Sequence, residues 1–189
     1  DLCDLMLAVG VRFSDIATGN LSAYTKNCRI IHVDIDKAEL GKNLSPDFSV
    51  QADVKKWMKS VLPKLKERKN PEWWKEIESY EKVTNLEKDA FHPKNILETV
   101  RRFTKDETVV ATDVGQHQMW TAQYYRFEKP GTFLTSGGLG TMGYGLGAAI
   151  GACLAKNKEE TVLITSDGSF SMNCNELCTA VKEGLPITI

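Results

Sequence analysis

Asp167 occupies a position suited to chemistry. It follows the apolar run Thr161-Val162-Leu163-Ile164-Thr165 and Ser166, and leads into Gly168, Ser169 and Phe170. A carboxylate at the tip of a strand, small residues that turn the chain and a helix opening beyond them make a setting for a diphosphate. Backbone N–H groups hold the phosphates, and the carboxylate takes a divalent cation. Taken alone, the same residues read more simply as a turn with Asp167 as a helix cap. Two further segments change the balance. Asp113-Val114-Gly115-Gln116-His117-Gln118-Met119-Trp120 follows an apolar run at 108–112, and Ser136-Gly137-Gly138-Leu139-Gly140-Thr141-Met142-Gly143-Tyr144-Gly145 follows another at 132–135. Three strand-to-helix turns in series converge on one edge of a sheet and together form a binding site.

The elements that carry these turns follow from periodicity. Strands alternate with helices, which implies an α/β fold of parallel sheets with flanking helices. Helices are expected from Pro93 through Arg102 with Ile96, Leu97 and Val100 inward, from Gln116, over Tyr144–Ala155, and from about 172 to 183 with Gly184 ending the last. The front of the chain reads as part of a second α/β unit. It has strands at Leu5–Val9 and 29–36, a short helix around 21–24, and a helix from 54 to about 69 capped by Asp53. Residues 68–91 are charge-dense and carry Trp73, Trp74 and Tyr80. They read as a linker with a surface helix starting at Pro71, its aromatic residues packed on a neighbouring domain. The organisation expected is therefore 1–67, 68–91 and 92–189. The chain begins without methionine and stops at Pro186-Ile187-Thr188-Ile189, so it reads as an internal piece of something longer.

Composition sets outer limits. With 24 basic and 25 acidic residues and 42% hydrophobic content, nothing points to nucleic acid. No apolar run approaches the ~20 residues of a membrane span. Five cysteines without a C-x-x-C pair suggest reduced thiols and a cytoplasmic setting. Cys174 and Cys178 read as packing or surface residues, and His32 and His92 as structural.

The two turn segments around Gly115 and Gly140, with the Asp167 turn, resemble the diphosphate-binding domain of thiamine-diphosphate enzymes. Their wording is similar to that of the acetolactate synthase large catalytic subunit. Ala8-Val9-Gly10-Val11-Arg12-Phe13, Thr18-Gly19-Asn20 and His32-Val33-Asp34-Ile35-Asp36 resemble the central, FAD-holding domain of the same family. The resemblance implies an enzyme of branched-chain amino acid biosynthesis that decarboxylates pyruvate and joins the product to a second 2-oxo acid. It implies thiamine diphosphate, Mg²⁺ and FAD, a homodimer or homotetramer, and a regulatory small subunit. Asp167 would be the metal ligand, with Gly168 and Ser169 beside the diphosphate. Val114, Gly115, Gln116 and His117 would meet the same end of the cofactor, while Gly140 and Met142 would meet its aminopyrimidine. Gly10, Arg12, Phe13, Asp34, Ile35, Asp36, Asp53 and Val54 would line the FAD site. Arg12 would be the natural partner of flavin or phosphate oxygens.

The sequence departs from the family at Ser166, where glycine is usual, and at Ser14 and Ile16, where the family has charged residues. The family's asparagine pair lies beyond residue 189, and its activating glutamate belongs to an amino-terminal domain. The chain by itself is therefore expected to be inactive. Alternatives are another thiamine-diphosphate 2-oxo acid decarboxylase, a flavin-free catabolic acetolactate synthase, or a non-catalytic cofactor-binding module.

Overall fold

The structure, a computed structural model, describes residues 3–81 and 90–189. The segment 82–89 of the expected linker lies outside the described residues. The chain divides into two compact units, Asp1–Trp73 and Trp74–Ile189.

The first unit holds a three-stranded parallel sheet, β1 (Leu5–Val9), β2 (Arg29–Asp34) and β3 (Phe48–Gln51), in that order. Leu5 pairs with Arg29 and Ile31 with Phe48. One face buries Ala8, Ile30 and Phe13, with Met6, Val11, Tyr24 and Leu44 against them. Strand β3 was not expected; it is short and only half apolar, and pairing with β2 decides it. The expected helix at 21–24 is instead a run of turns, begun where the Asn20 side chain accepts from Ser22 N–H at 3.0 Å. The helix in this loop is α1 (Asp15–Thr18).

Helix α2 (Val54–Val61) is capped by Asp53, whose carboxylate accepts from Lys56 N–H at 2.9 Å. It ends well short of 69. Pro63 has no N–H to continue the ladder, and Leu62–Lys64 tightens into a 3₁₀ turn. Helix α3 (Pro71–Glu81) starts at Pro71 as expected, with Trp73, Trp74 and Tyr80 exposed.

The second unit runs α4 (Pro93–Phe103), β4 (Val109–Thr112), α5 (Gln116–Tyr124), β5 (Phe133–Leu134), α6 (Tyr144–Ala155), β6 (Thr161–Ile164), α7 (Asp167–Ser171), α8 (Leu177–Lys182) and β7 (Ile187–Thr188). Its parallel sheet has the order β5-β4-β6-β7. Every residue of β4 is buried, which is why it reads Val-Val-Ala-Thr without alternation. Ala111 and Leu163 face α6 through Leu146, Ala149 and Ile150, while Val110 and Val162 face Tyr125 on the other side. Leu146 and Leu163 are each 2% exposed, and burying such a side chain contributes about 1.5–3 kcal/mol.

His92 caps α4 by accepting from Lys94 N–H at 3.3 Å. On that helix Leu97 is buried, but Ile96 is 47% exposed instead of inward, on the rim of an open hollow. The helix expected over 172–183 begins earlier and breaks. It opens at Asp167, stops after Ser171 and resumes at Leu177, because the Asn173 side chain turns away to donate to the carbonyl of Gly143. Gly184, at φ +60°, ends α8: its N–H bonds Val181 O and Leu185 N–H bonds Ala180 O. Among the described residues no helix is long and apolar enough to cross a membrane.

Candidate functional site

Strands β5, β4 and β6 are neighbours and parallel, so the segments after them leave the sheet at the same edge. Asp113 joins two of those segments. It is 1% exposed, and its Oδ1 accepts from Gly143 N–H at 2.8 Å and from Val114 N–H at 3.0 Å. Its Oδ2 accepts from Gly145 N–H at 3.1 Å. A buried carboxylate is tolerated because three backbone donors replace water. The same bonds anchor the first turn of α6 against the end of β4. Gly145 is needed for this approach, since a Cβ there would lie 2.8 Å from Leu163 Cδ1 and 3.0 Å from Asp113 N.

The third segment is tied in by Ser169, fully buried, whose Oγ donates to Val114 O at 3.1 Å. The side chain of Met142, 43% exposed, reaches Gly168: a Cβ on Gly168 would sit 3.6 Å from its Cε. Within the glycine-rich loop, Ser136 O accepts from Gly140 N–H and Ser136 Oγ from Thr141 N–H, both at 3.0 Å. Gln118 and Thr112 both donate to Thr135 Oγ1, at 2.7 and 2.8 Å, fixing α5 and β4 to the start of that loop.

Val114, Gly115, Gln116, His117, Gly140, Met142, Asp167, Gly168 and Ser169 thus stand on one edge. Asp167 is exposed in the first turn of α7 and its carboxylate caps nothing, as Ser166 is the N-cap residue. Gly115 adopts φ +153°, and a Cβ there would press on the His117 ring at 2.9 Å. His117 lies partly in an apolar hollow with Pro93, Ile96, Leu97, Trp120 and Ile164. Its Nε2 is shut off from solvent without a hydrogen-bond partner. Burial pushes its pKa below the usual imidazole value, outweighing the opposing pull of Asp113. The imidazole is therefore neutral at neutral pH.

Sequence reasoning passed over Asp113, Asn173, Ser136 and Thr135 as site-building residues. The signal for Asp113 was a carboxylate directly after a fully apolar strand, the pattern that drew attention to Asp167.

In the first unit, the segments after β1, β2 and β3 likewise share an edge. Gly10 follows β1 at φ +64°, and its N–H donates to Val33 O at 2.9 Å. Arg12 is exposed, its carbonyl held by Asn43 Nδ2 at 3.1 Å. Phe13 is turned inward at φ +48°, 5.1 Å from the His32 ring, so its side chain belongs to the core and its backbone to the edge. Asp34 is buried and accepts from Asp36 N–H at 2.8 Å; Ile35 is exposed, and Asp36 accepts from Ala38 N–H at 2.8 Å. Asp53 and the exposed Val54 follow β3. A hollow lined by Phe13, Ser14, Asp15, Thr18, Gly19, Leu21 and Asn43 opens beside the Arg12 loop, where Ile16 is 92% exposed.

Comparison with known proteins agrees with both halves. Residues 113–189 match the thiamine pyrophosphate enzyme, C-terminal TPP binding domain, and residues 1–62 match the thiamine pyrophosphate enzyme, central domain. The chain is 41% identical over 194 residues to the acetolactate synthase large subunit of Buchnera aphidicola subsp. Schizaphis graminum (strain Sg), covering 98% of this chain and 34% of that protein. It is 43% identical over 199 residues to acetolactate synthase 2, chloroplastic, of Nicotiana tabacum, covering 100% and 30%. It is 39% identical over 197 residues to acetolactate synthase isozyme 3 large subunit of Escherichia coli (strain K12), covering 98% and 34%. The chain spans about a third of the length of these relatives.

Proposed function

We propose, from the premise that this chain belongs to the acetolactate synthase branch of the thiamine pyrophosphate enzymes, that it is the cofactor-holding middle of an acetolactate synthase large subunit. The reaction would join two 2-oxo acids after one of them is decarboxylated, as a step of branched-chain amino acid biosynthesis. The observation that carries this reading is the meeting of Asp113, Met142, Gly168 and Ser169 on one sheet edge. When bound, thiamine diphosphate supplies a carbon nucleophile for the 2-oxo acid and an electron sink for the electrons left by carbon dioxide.

The residues present fit that cofactor. Asp167 offers an exposed carboxylate with no helix end to satisfy and would hold the Mg²⁺ that accompanies the cofactor. Gly168 lies beside Met142, whose half-exposed thioether would offer the cofactor an apolar contact. Gly140 would present its backbone to the aminopyrimidine. Val114, Gly115 and Gln116 would lie along the diphosphate. Neutral His117 would serve there as a hydrogen-bonding group rather than as a cation. Asp113 would act on the reaction only by holding the Met142 loop and α6 in place. In the first unit, Gly10, Arg12, the Phe13 backbone, Asp34 to Asp36, Asp53 and Val54 would line FAD.

The units proposed remain 1–67, a linker over 68–91, and 92–189. Two of the relatives are named large subunits, which supports a separate small subunit as partner; the whole protein would be a homo-oligomer in the cytoplasm.

The test is calorimetry on the protein in its full coding length, titrated with thiamine diphosphate and Mg²⁺. Wild type should bind. Asp167→Ala should bind at least about tenfold more weakly, a loss of ~1.4 kcal/mol, with an unchanged melting temperature. No heat from the wild type would overturn the reading. Colourless protein after purification would remove FAD from it.

A further inference from the structure

We propose that Cys3 and Cys28 are a dithiol pair that a low-molecular-weight disulfide oxidises to an intramolecular disulfide across the amino ends of β1 and β2. Their sulfur atoms lie 3.4 Å apart although the residues are 25 positions apart in sequence. The sheet enforces this closeness. Arg29 N–H donates to Asp4 O at 2.9 Å, one step before the first paired positions Leu5 and Arg29, so the cysteines flank the last rung of a rigid parallel ladder. Both side chains are half-buried, leaving a path for a small oxidant.

The other cysteines are placed differently. Cys153 is buried and its thiol donates to Glu159 O at 3.2 Å, while Cys174 and Cys178 are exposed.

The exchange balances in two steps. The thiolate of one cysteine attacks a sulfur of the oxidant, whose S–S bond breaks; a mixed disulfide forms and one small thiolate leaves and takes up a proton. The second cysteine's thiolate then attacks the protein sulfur of that mixed disulfide, and the second small thiol departs. Two protein thiols are oxidised and one small disulfide is reduced to two thiols. Burial, then contact with Cys3, pushes the Cys28 thiol above its ordinary value. Exchange through Cys28 is therefore slow at neutral pH and quickens in mild alkali.

The bond would form at the opposite end of the sheet from Gly10, Arg12 and Asp34. It would tighten the first unit without covering its carboxyl edge, and this inference does not depend on the cofactor reading.

The experiment is to treat the full chain with oxidised glutathione in mild alkali, alkylate remaining thiols, and map peptides without reduction. The expected result is a peptide containing Cys3 joined to one containing Cys28. Neither Cys3 nor Cys28 is alkylated, and dithiothreitol restores both thiols. Cys3→Ser, a small change at a half-buried site, should halt at a stable glutathione adduct on Cys28. Alkylated Cys3 and Cys28 alongside glutathionylated Cys174 and Cys178 would overturn the proposal. So would a wild-type adduct on Cys28 that persists beside a free Cys3.

Discussion

In the first sheet, Asp34, Asp36 and Asp53 each accept a bond from a backbone N–H two or three residues further along the same loop. In the second, Asp113 reaches 30 and 32 residues ahead to Gly143 and Gly145, and Ser169 reaches back 55 residues to Val114. Both edges are built from turns after parallel strands, yet the bonding differs in kind. The exposed bond from Asn43 Nδ2 to Arg12 O ties two loops of the first edge more loosely than a shared buried carboxylate does, so those loops are freer to shift as a ligand arrives. Loops that share a buried carboxylate move together or not at all, which suits an edge that keeps one fixed geometry.

The contrast breaks most visibly at Asp113. Asp113→Ala strands the buried N–H groups of Gly143 and Gly145, at the start of α6, and the part-buried N–H of Val114, and should cost about 3–5 kcal/mol in urea unfolding of the second unit. A loss below ~1 kcal/mol would mean that the carboxylate is not what joins the loops. Gly145→Ala attacks the same junction sterically. Its Cβ would meet Asp113 backbone as well as Leu163, so about 1–3 kcal/mol should be lost without any change in hydrogen-bonding groups. In the first unit, Asp53→Ala removes one local cap and should cost only ~1 kcal/mol, with the residues after β1 and β2 undisturbed in amide exchange.

The smallest effect is expected at His117. Its folded pKa is lowered, so its contribution is full above the unfolded value of about 6.5 and is lost as pH falls below that. His117→Gln should flatten the fall in stability as pH drops below about 6.5. Parallel curves for variant and wild type would show that the imidazole is not buried in solution.

Much of the fold was legible. The bounds of α6, the Asp53 cap and the Gly184 helix stop matched because each rests on neighbours within a few residues, where periodicity and capping chemistry act. Three of the misses share one cause. The helix break after Ser171 depends on Asn173 finding Gly143, and the outward Ile96 depends on what lies beside α4. Strand β3 depends on β2 offering a partner.

By itself, the sequence determined that parallel strands would end in three turns rich in glycine and carboxylate, because apolar runs, turn residues and helix caps are local properties. It also carried the wording of a family. Tertiary structure alone decided which carboxylate would be buried and which exposed: Asp113 and Asp167 follow similar strands, but only Asp113 meets the first turn of α6. It also decided that Phe13 turns inward and that Cys3 meets Cys28. Contacts made across 25 or more residues follow from how the sheet closes, and no spacing in the chain encodes that distance.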